Sequence, residues 1–423
     1  MSSAAELRPL LSDATGEMVV APPGWAAVGQ SGSRAVEPRG WIPLPAGTTL
    51  MHLPDRPGLG RRRSGEVAPI FGSHPWAVAA VLPVGYLRLL LPAHRRLPGA
   101  AVLPLYGYAA VADRRGEVVV AAQRSDDFSP WMGARPSRAQ LAEAVAEVQR
   151  RLPRSRVIAQ LSVCALQHNC LTAQNTFLGR DEGALPTSAA CNADCLGCIS
   201  LQTDSGAPTP QPRIPRAPTA DDLVAVGSQH LERATAFGQV GMVSFGQGCE
   251  GEPLLRERAL ISVVAELRAR HPAATIHINT NGSRPRALER LMGAGVNSCR
   301  ISVFSFEQRL FHAYYRPRGY RIQEVLESCR TARSMGAQLT INLLTFPGVT
   351  DIPEEVERTI FNLADLEVDQ LQLRSLNVDP LWLLSRLPEL PPGMGLARVV
   401  EALRSRLPRV GLGNFTRPLA ATV

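Results

Sequence analysis

Cys191, Cys195 and Cys198 stand in one short run, Ala190-Cys191-Asn192-Ala193-Asp194-Cys195-Leu196-Gly197-Cys198. Three thiolates at this spacing can hold three irons of a cubane cluster and leave the fourth iron open to a substrate or cofactor. An all-cysteine electron carrier normally supplies four ligands. Clustered cysteines also serve closed zinc sites, and here Cys164, Cys170 or His168 could supply a fourth ligand.

Motifs downstream of the triplet, in the right order, favour the iron-sulfur reading. The C-x3-C-x2-C spacing resembles that of the radical S-adenosylmethionine (radical SAM) enzymes. The run Gly246-Gln247-Gly248-Cys249-Glu250-Gly251-Glu252-Pro253 is similar to that family's glycine-glutamate motif. Asn279-Thr280-Asn281-Gly282-Ser283 looks like the polar strand end that meets the ribose hydroxyls or the carboxylate. The resemblance spans about Leu185 to Pro380. It implies a [4Fe-4S] cluster on Cys191, Cys195 and Cys198, and S-adenosylmethionine held by Gly197, Gly251, Glu252, Thr280, Asn281, Ser302, Asn342 and Arg374. Arginine suits a carboxylate because its fork can bind both oxygens. The implied reaction is reductive cleavage of S-adenosylmethionine to methionine and a 5′-deoxyadenosyl radical, which then takes a hydrogen atom from a substrate. An external one-electron donor such as flavodoxin or ferredoxin is implied too. Neither a catalytic side chain nor a substrate is specified by the sequence. The alternative is a zinc- or iron-sulfur-stabilised protein that binds a partner or carries electrons.

One position departs from the family pattern. The residue before the third cysteine is usually aromatic, and here it is Gly197, so only backbone is offered to adenine there. Cys164 and Cys170 raise the possibility of a second metal site, with Cys249 the nearby cysteine to complete it. Tyr314, Tyr315 and Arg316 form an aromatic and basic group that could cover the site and contact substrate; a plain surface loop turning at Pro317-Gly319 is the alternative. Cys299 shares a face with Ile301 and Val303, and Cys329 lies on an apolar helix stripe, so both read as core.

The elements that must position these residues alternate in the manner of parallel strands joined by crossover helices. Strands are expected at Val240 to Phe245, Thr275 to Asn279, Ser298 to Phe304, Leu339 to Leu344 and Gln370 to Leu376, with a short first strand just before Cys191. Leu288, Leu291 and Met292, and likewise Ile322, Val325, Leu326 and Cys329, keep helical spacing. Within the strands, His277, Asn279 and Asn281 oppose Ile276 and Ile278, and Gln372 and Arg374 oppose Leu371 and Leu373. A polar row of this kind suits a funnel better than the filled core of a closed eight-stranded barrel. The expected fold is α/β: a partial (β/α)6 TIM-like barrel of the radical SAM type, preceded by a smaller β-rich N-terminal domain.

The division expected from composition is a poorly ordered segment over 1–66 and a β-rich domain over 67–155 that ends in a helix. The barrel then occupies 156–380, with its core at 185–380, and a helical extension covers 381–423. Trp76 to Leu91 and Ala101 to Val111 read as strands, and Asp113-Arg114-Arg115-Gly116 as a hairpin connection. Gly206 to Pro218 is a Pro-rich loop on the cluster side.

The chain has 423 residues, eight of them cysteine, and a formal net charge of +8. The chain contains no lysine, so every side chain counted as a cation in that charge is arginine. No basic run exceeds Arg61-Arg62-Arg63 and few aromatics interleave, so nucleic acid is not indicated. Residues 1 to 20 show no apolar block after a basic start, and Trp76 to Pro92 is interrupted by Pro83, Gly85 and Arg88. Neither a secretory signal nor a membrane span is expected, and the cytoplasm is the expected compartment. Eight cysteines in such a chain argue for metal rather than disulfides.

Overall fold

A computed structural model describes residues 7–37, 39–126, 136–202 and 204–419. The N-terminal part is built from short strands. One eight-stranded antiparallel sheet runs in the order Tyr86–Arg88, Glu117–Arg124, Tyr108–Arg114, Leu7–Ser12, Trp76–Val81, Thr49–Pro57, with Met18–Val20 and Trp41–Pro43 paired at its sides. Two three-stranded sheets accompany it.

The segment 1–66, expected to be poorly ordered, is therefore largely strand over its described residues. Leu7 pairs with Arg114, and Leu11 with Ala77. Gly and Pro in this segment punctuate very short strands. The strand Leu7–Ser12, for one, pairs with Trp76–Val81 and Tyr108–Arg114, far along the chain, so no local pattern announces it. The hairpin at Asp113 to Gly116 forms, with Arg114 opposite Glu117. The stretch 76–91 is not one strand, because Pro83 to Gly85 separate Trp76–Val81 from Tyr86–Arg88. In 101–111 only Tyr108 onward is extended.

The helix Arg138–Arg151 starts at a capping box, Ser137 with Gln140, and buries Leu141, Val145 and Val148. Two further helices, Arg156–Leu166 and Leu171–Leu178, lead into the second sheet.

That sheet has seven parallel strands in sequential order: Glu182–Ala184, Met242–Phe245, Thr275–Thr280, Ser298–Val303, Gln338–Thr345, Gln370–Ser375 and Gly411–Leu412. Helices lie between consecutive strands, among them Ala220–Ala236, Glu257–Arg270, Pro285–Ala294, Ile322–Ser334, Pro353–Asp365 and Leu396–Arg406. Six strands were expected. The seventh comes from the C-terminal segment, where helices Pro380–Leu384 and Leu396–Arg406 precede the pairing of Gly411 with Gln370.

Alternation along the strands splits the two faces as the sequence implies. Ile276, Ile278, Cys299, Ile301, Ile341 and Leu371 are fully buried. On the other face a hydrogen-bonded polar row crosses the sheet. Asn279 Nδ2 donates to Ser244 Oγ at 2.8 Å, His277 pairs with Ser298 Oγ at 2.7 Å, and Arg300 Nη1 donates to Gln372 Oε1 at 3.0 Å. Gln372 then donates to Thr416 Oγ1 of the C-terminal segment at 3.1 Å. These groups take their partners from other strands of the sheet and from the C-terminal segment, as burial of polar atoms requires.

The two parts meet through buried arginines. Arg88 Nη2 donates to the Leu376 carbonyl at 2.8 Å, and Arg56 pairs with Asp379 at 3.0 Å. The N-terminal sheet thus grips the loop that leaves the sixth strand.

Candidate iron-sulfur and cofactor site

The cysteine loop comes after the first strand, and its entry is held by one carboxylate. Glu250 is buried and accepts five hydrogen bonds: from the Thr187 amide (2.6 Å) and hydroxyl (2.9 Å), the Ser188 amide (2.8 Å), the Gly246 amide (2.8 Å) and the Gln247 amide (2.6 Å). It therefore ties the exit of the first strand to the exit of the second. Burial pushes its pKa up while the donors pull it back. Sequence reasoning chose Glu252 and passed over Glu250, because nothing in the spacing says which of two nearby acids turns inward.

The second contact is backbone to backbone. Gly251 N–H donates to Ser188 O at 2.6 Å, and Glu252 N–H to Ala190 O at 2.8 Å. A Cβ on Gly251 would lie 1.9 Å from Ala190 O, so only glycine permits this approach beside Cys191. Glu252 then spreads its carboxylate over the next strand end. Its Oε1 accepts from Thr280 Oγ1 at 2.6 Å and from the Leu254 amide at 3.0 Å, and its Oε2 from the Asn281 amide at 2.8 Å. Burial raises its pKa to about 7 despite these donors. Asn281 Nδ2 in turn donates to Asn192 Oδ1 inside the cysteine run, at 2.9 Å. Four of the expected residues, Gly251, Glu252, Thr280 and Asn281, are thus brought to the cysteine loop.

The three cysteines are half-buried and free. Burial pushes the Cys191 thiol up to about 11, with the nearby Glu252 charge adding to it. Burial also raises Cys195, and Cys198 and Cys191 raise it further. Sulfurs close enough to oppose one another's ionisation suit a metal, which supplies the positive charge that three thiolates need. Arg213, which the sequence reading did not single out, points Nη2 at Cys198 Sγ from 3.7 Å.

The far side of the loop is held by Tyr314, Tyr315 and Arg316. Leu196 N–H donates to Tyr314 O and Asp194 N–H to Tyr315 O, both at 3.0 Å, and Arg316 pairs with Asp194 at 3.3 Å. The two tyrosine side chains are 2% and 3% exposed. Their expected role as a cover in contact with substrate is corrected accordingly: they pack beneath the cysteine loop, because helix Gln308–Tyr315 turns its aromatic face inward. Gly197 sits against this packing. A Cβ there would meet Val378, Leu376 and the Tyr314 hydroxyl at 2.7 to 2.8 Å, which accounts for the missing aromatic side chain.

Ser302 and Asn342 lie side by side on the polar face, with Asn342 Nδ2 donating to Ser302 Oγ at 3.1 Å. Arg374 lies on the same face of the sixth strand, where burial lowers its pKa and the charges of Glu182 and Asp126 oppose that shift. No hydrogen bond among the described residues links these three to Glu252. Cys299 and Cys329 are core, as expected. Cys164 and Cys249 are buried next to each other, and Cys170 lies nearby.

Among solved structures, the chain is similar to a radical SAM methyltransferase from Sphaerobacter thermophilus (19% identity, TM-score 0.40, covering 56% of this chain and 65% of that one, a little under two thirds of its length). It is also similar to methylornithine synthase PylB (13%, TM-score 0.39, 66% and 75%) and to SuiB from Streptococcus suis (14%, TM-score 0.38, 65% and 60%). No curated protein matches the sequence. No helix among the described residues is long and apolar enough to cross a membrane. Residues 185–362, a little over two fifths of the chain, match the model of the family described as the radical SAM superfamily.

Proposed function

We propose that Cys191, Cys195 and Cys198 hold a [4Fe-4S] cluster and that S-adenosylmethionine completes it at the fourth iron. The observation that carries this reading is the seating of Gly251-Glu252 on Ala190. It sets a buried carboxylate and backbone carbonyls beside the first cysteine, where an amino group bound to iron needs acceptors. Bound together, cluster and S-adenosylmethionine supply the hard step, reductive cleavage and release of a 5′-deoxyadenosyl radical.

The chain's own residues bind, orient and shield. Glu252, held in place by Thr280 and Asn281, would receive the amino group of the methionine half. The end of the third strand would meet the sugar, the Gly197 backbone would be offered to adenine, and Ser302, Asn342 and Arg374 would line the funnel toward the substrate or the methionine carboxylate. We read the sequential parallel sheet as a partial barrel whose polar face is that funnel. An external one-electron donor, of the flavodoxin or ferredoxin kind, supplies the electron, and the substrate is unassigned.

Single Ala replacements at Cys191, Cys195 and Cys198 test the cluster. Each is expected to remove the cluster's absorbance and 5′-deoxyadenosine formation; undiminished iron and product in all three would refute the assignment.

A further inference from the structure

Two arginines reach the cysteine run, and their partners differ. Arg316 pairs with Asp194 and Asp204. Arg213 is half-buried, and among the described residues it makes no ion pair with a carboxylate; its side-chain contacts are with Ser200 and Cys198 instead. Nε donates to Ser200 Oγ at 3.2 Å, and Nη2 lies 3.7 Å from Cys198 Sγ.

The place of this side chain is fixed from both directions along the chain. Gln211 N–H donates to Ile199 O at 3.1 Å, and Ile214 N–H donates to Cys249 O at 2.8 Å, so backbone anchors bracket Arg213. Ser200, which receives Nε, is itself buried. Its hydroxyl donates to Glu250 O at 3.2 Å and lies 3.4 Å from Cys198 Sγ. Glu250 is the acid that ties the first two strand exits together, so arginine and cysteines are positioned by one frame. A guanidinium and a hydroxyl thus converge on a single sulfur of the triplet.

The potential of an iron-sulfur cluster depends on the net charge around it and on hydrogen bonds to its sulfurs. Reduction adds one electron and neither makes nor breaks a bond, so a fixed positive charge stabilises the reduced state more than the oxidised one. Resting on the cluster assigned to the triplet, we propose that Arg213 tunes that cluster: its guanidinium, aimed at Cys198 by Ser200, raises the reduction potential and eases loading by an external one-electron donor. Arg213 acts through Cys198 and is a positioning residue, not a ligand. The fork matters as well as the charge, because Nε held by Ser200 sets the direction of Nη2, which a lysine would not reproduce.

The full-length wild type and Arg213→Gln are reconstituted anaerobically with iron and sulfide, and iron and labile sulfide are counted. Each is then titrated with dithionite through redox mediators while the electron paramagnetic resonance signal of the reduced cluster is followed. Equal iron is expected, with a more negative midpoint in Arg213→Gln: about a tenfold fall in the ratio of reduced to oxidised cluster at a fixed potential, or about 59 mV for one electron. Arg213→Lys is expected to recover part of the shift, since it returns the charge without the fork. Equal midpoints at equal iron in the wild type and Arg213→Gln overturn the proposal. Should Arg213→Gln take up less iron, Ser200→Ala decides, because it keeps the charge and frees its aim. A smaller shift in the same direction then supports the proposal, and no shift overturns it. A wild type that takes up no cluster would overturn the assignment at the triplet itself, and the proposal with it.

Discussion

The Thr280 hydroxyl donates to Glu252 Oε1 at 2.6 Å, and both residues are buried. This one bond joins the exit of the second parallel strand to the exit of the third, and it fixes the direction of the carboxylate next to Cys191. Thr280→Val keeps the shape and removes the donor. A hydrogen bond to a charged group contributes about 1.5–3 kcal/mol. The variant is expected to lose that much stability in urea and to bind S-adenosylmethionine more weakly by calorimetry, with its cysteine loop intact.

Glu250 gathers five donors from two strand exits. Glu250→Ala leaves all of them buried without an acceptor. A loss of about 3 kcal/mol or more is expected in chemical denaturation, together with reduced iron uptake, because Thr187 and Ser188 lead directly into the cysteine run. A stability change within about 0.5 kcal/mol would show that the staple is dispensable.

Gly197→Phe restores the aromatic residue usual in the family and collides with Val378, Leu376 and Tyr314. Overpacking of this kind costs about 1–3 kcal/mol. Adding Leu376→Ala should recover part of the loss, so the double variant is expected to melt above the single one in a thermal scan.

His277 pairs with Ser298 and Asn279 inside the polar row, and burial lowers its pKa to about 3. A folded pKa below the ordinary 6.5 means that the unfolded chain takes up the proton first. The neutral ring's contribution is therefore present above pH 6.5 and is lost as pH falls toward 3, at up to about 1.4 kcal/mol per pH unit. His277→Gln should flatten the difference in unfolding free energy between pH 6.5 and 4 relative to the wild type.

The parallel sheet was legible because its signals are local. Alternation in Thr275–Thr280 and helical spacing at Leu288, Leu291 and Met292 recur within single elements. The cysteine triplet and Gly251-Glu252 were legible because their spacing carries the chemistry. The N-terminal sheet was not, since Leu7–Ser12 pairs with strands at Trp76 and Tyr108, and its residues look like loop until those partners are known. Arg213 and Glu250 were missed for a related reason: a loop arginine and one of two acids gain meaning only when the fold brings Cys198 and Thr187 to them. Tyr314 and Tyr315 misled because an aromatic pair reads alike whether it faces substrate or packs beneath a loop.

The most direct measurement is electron paramagnetic resonance of the anaerobically reconstituted, reduced protein with and without S-adenosylmethionine, with 5′-deoxyadenosine assayed in the same sample. The account predicts a signal that shifts when S-adenosylmethionine is added and 5′-deoxyadenosine that accumulates, both lost in Cys198→Ala. A signal indifferent to S-adenosylmethionine, or tightly bound zinc with no product, would contradict it.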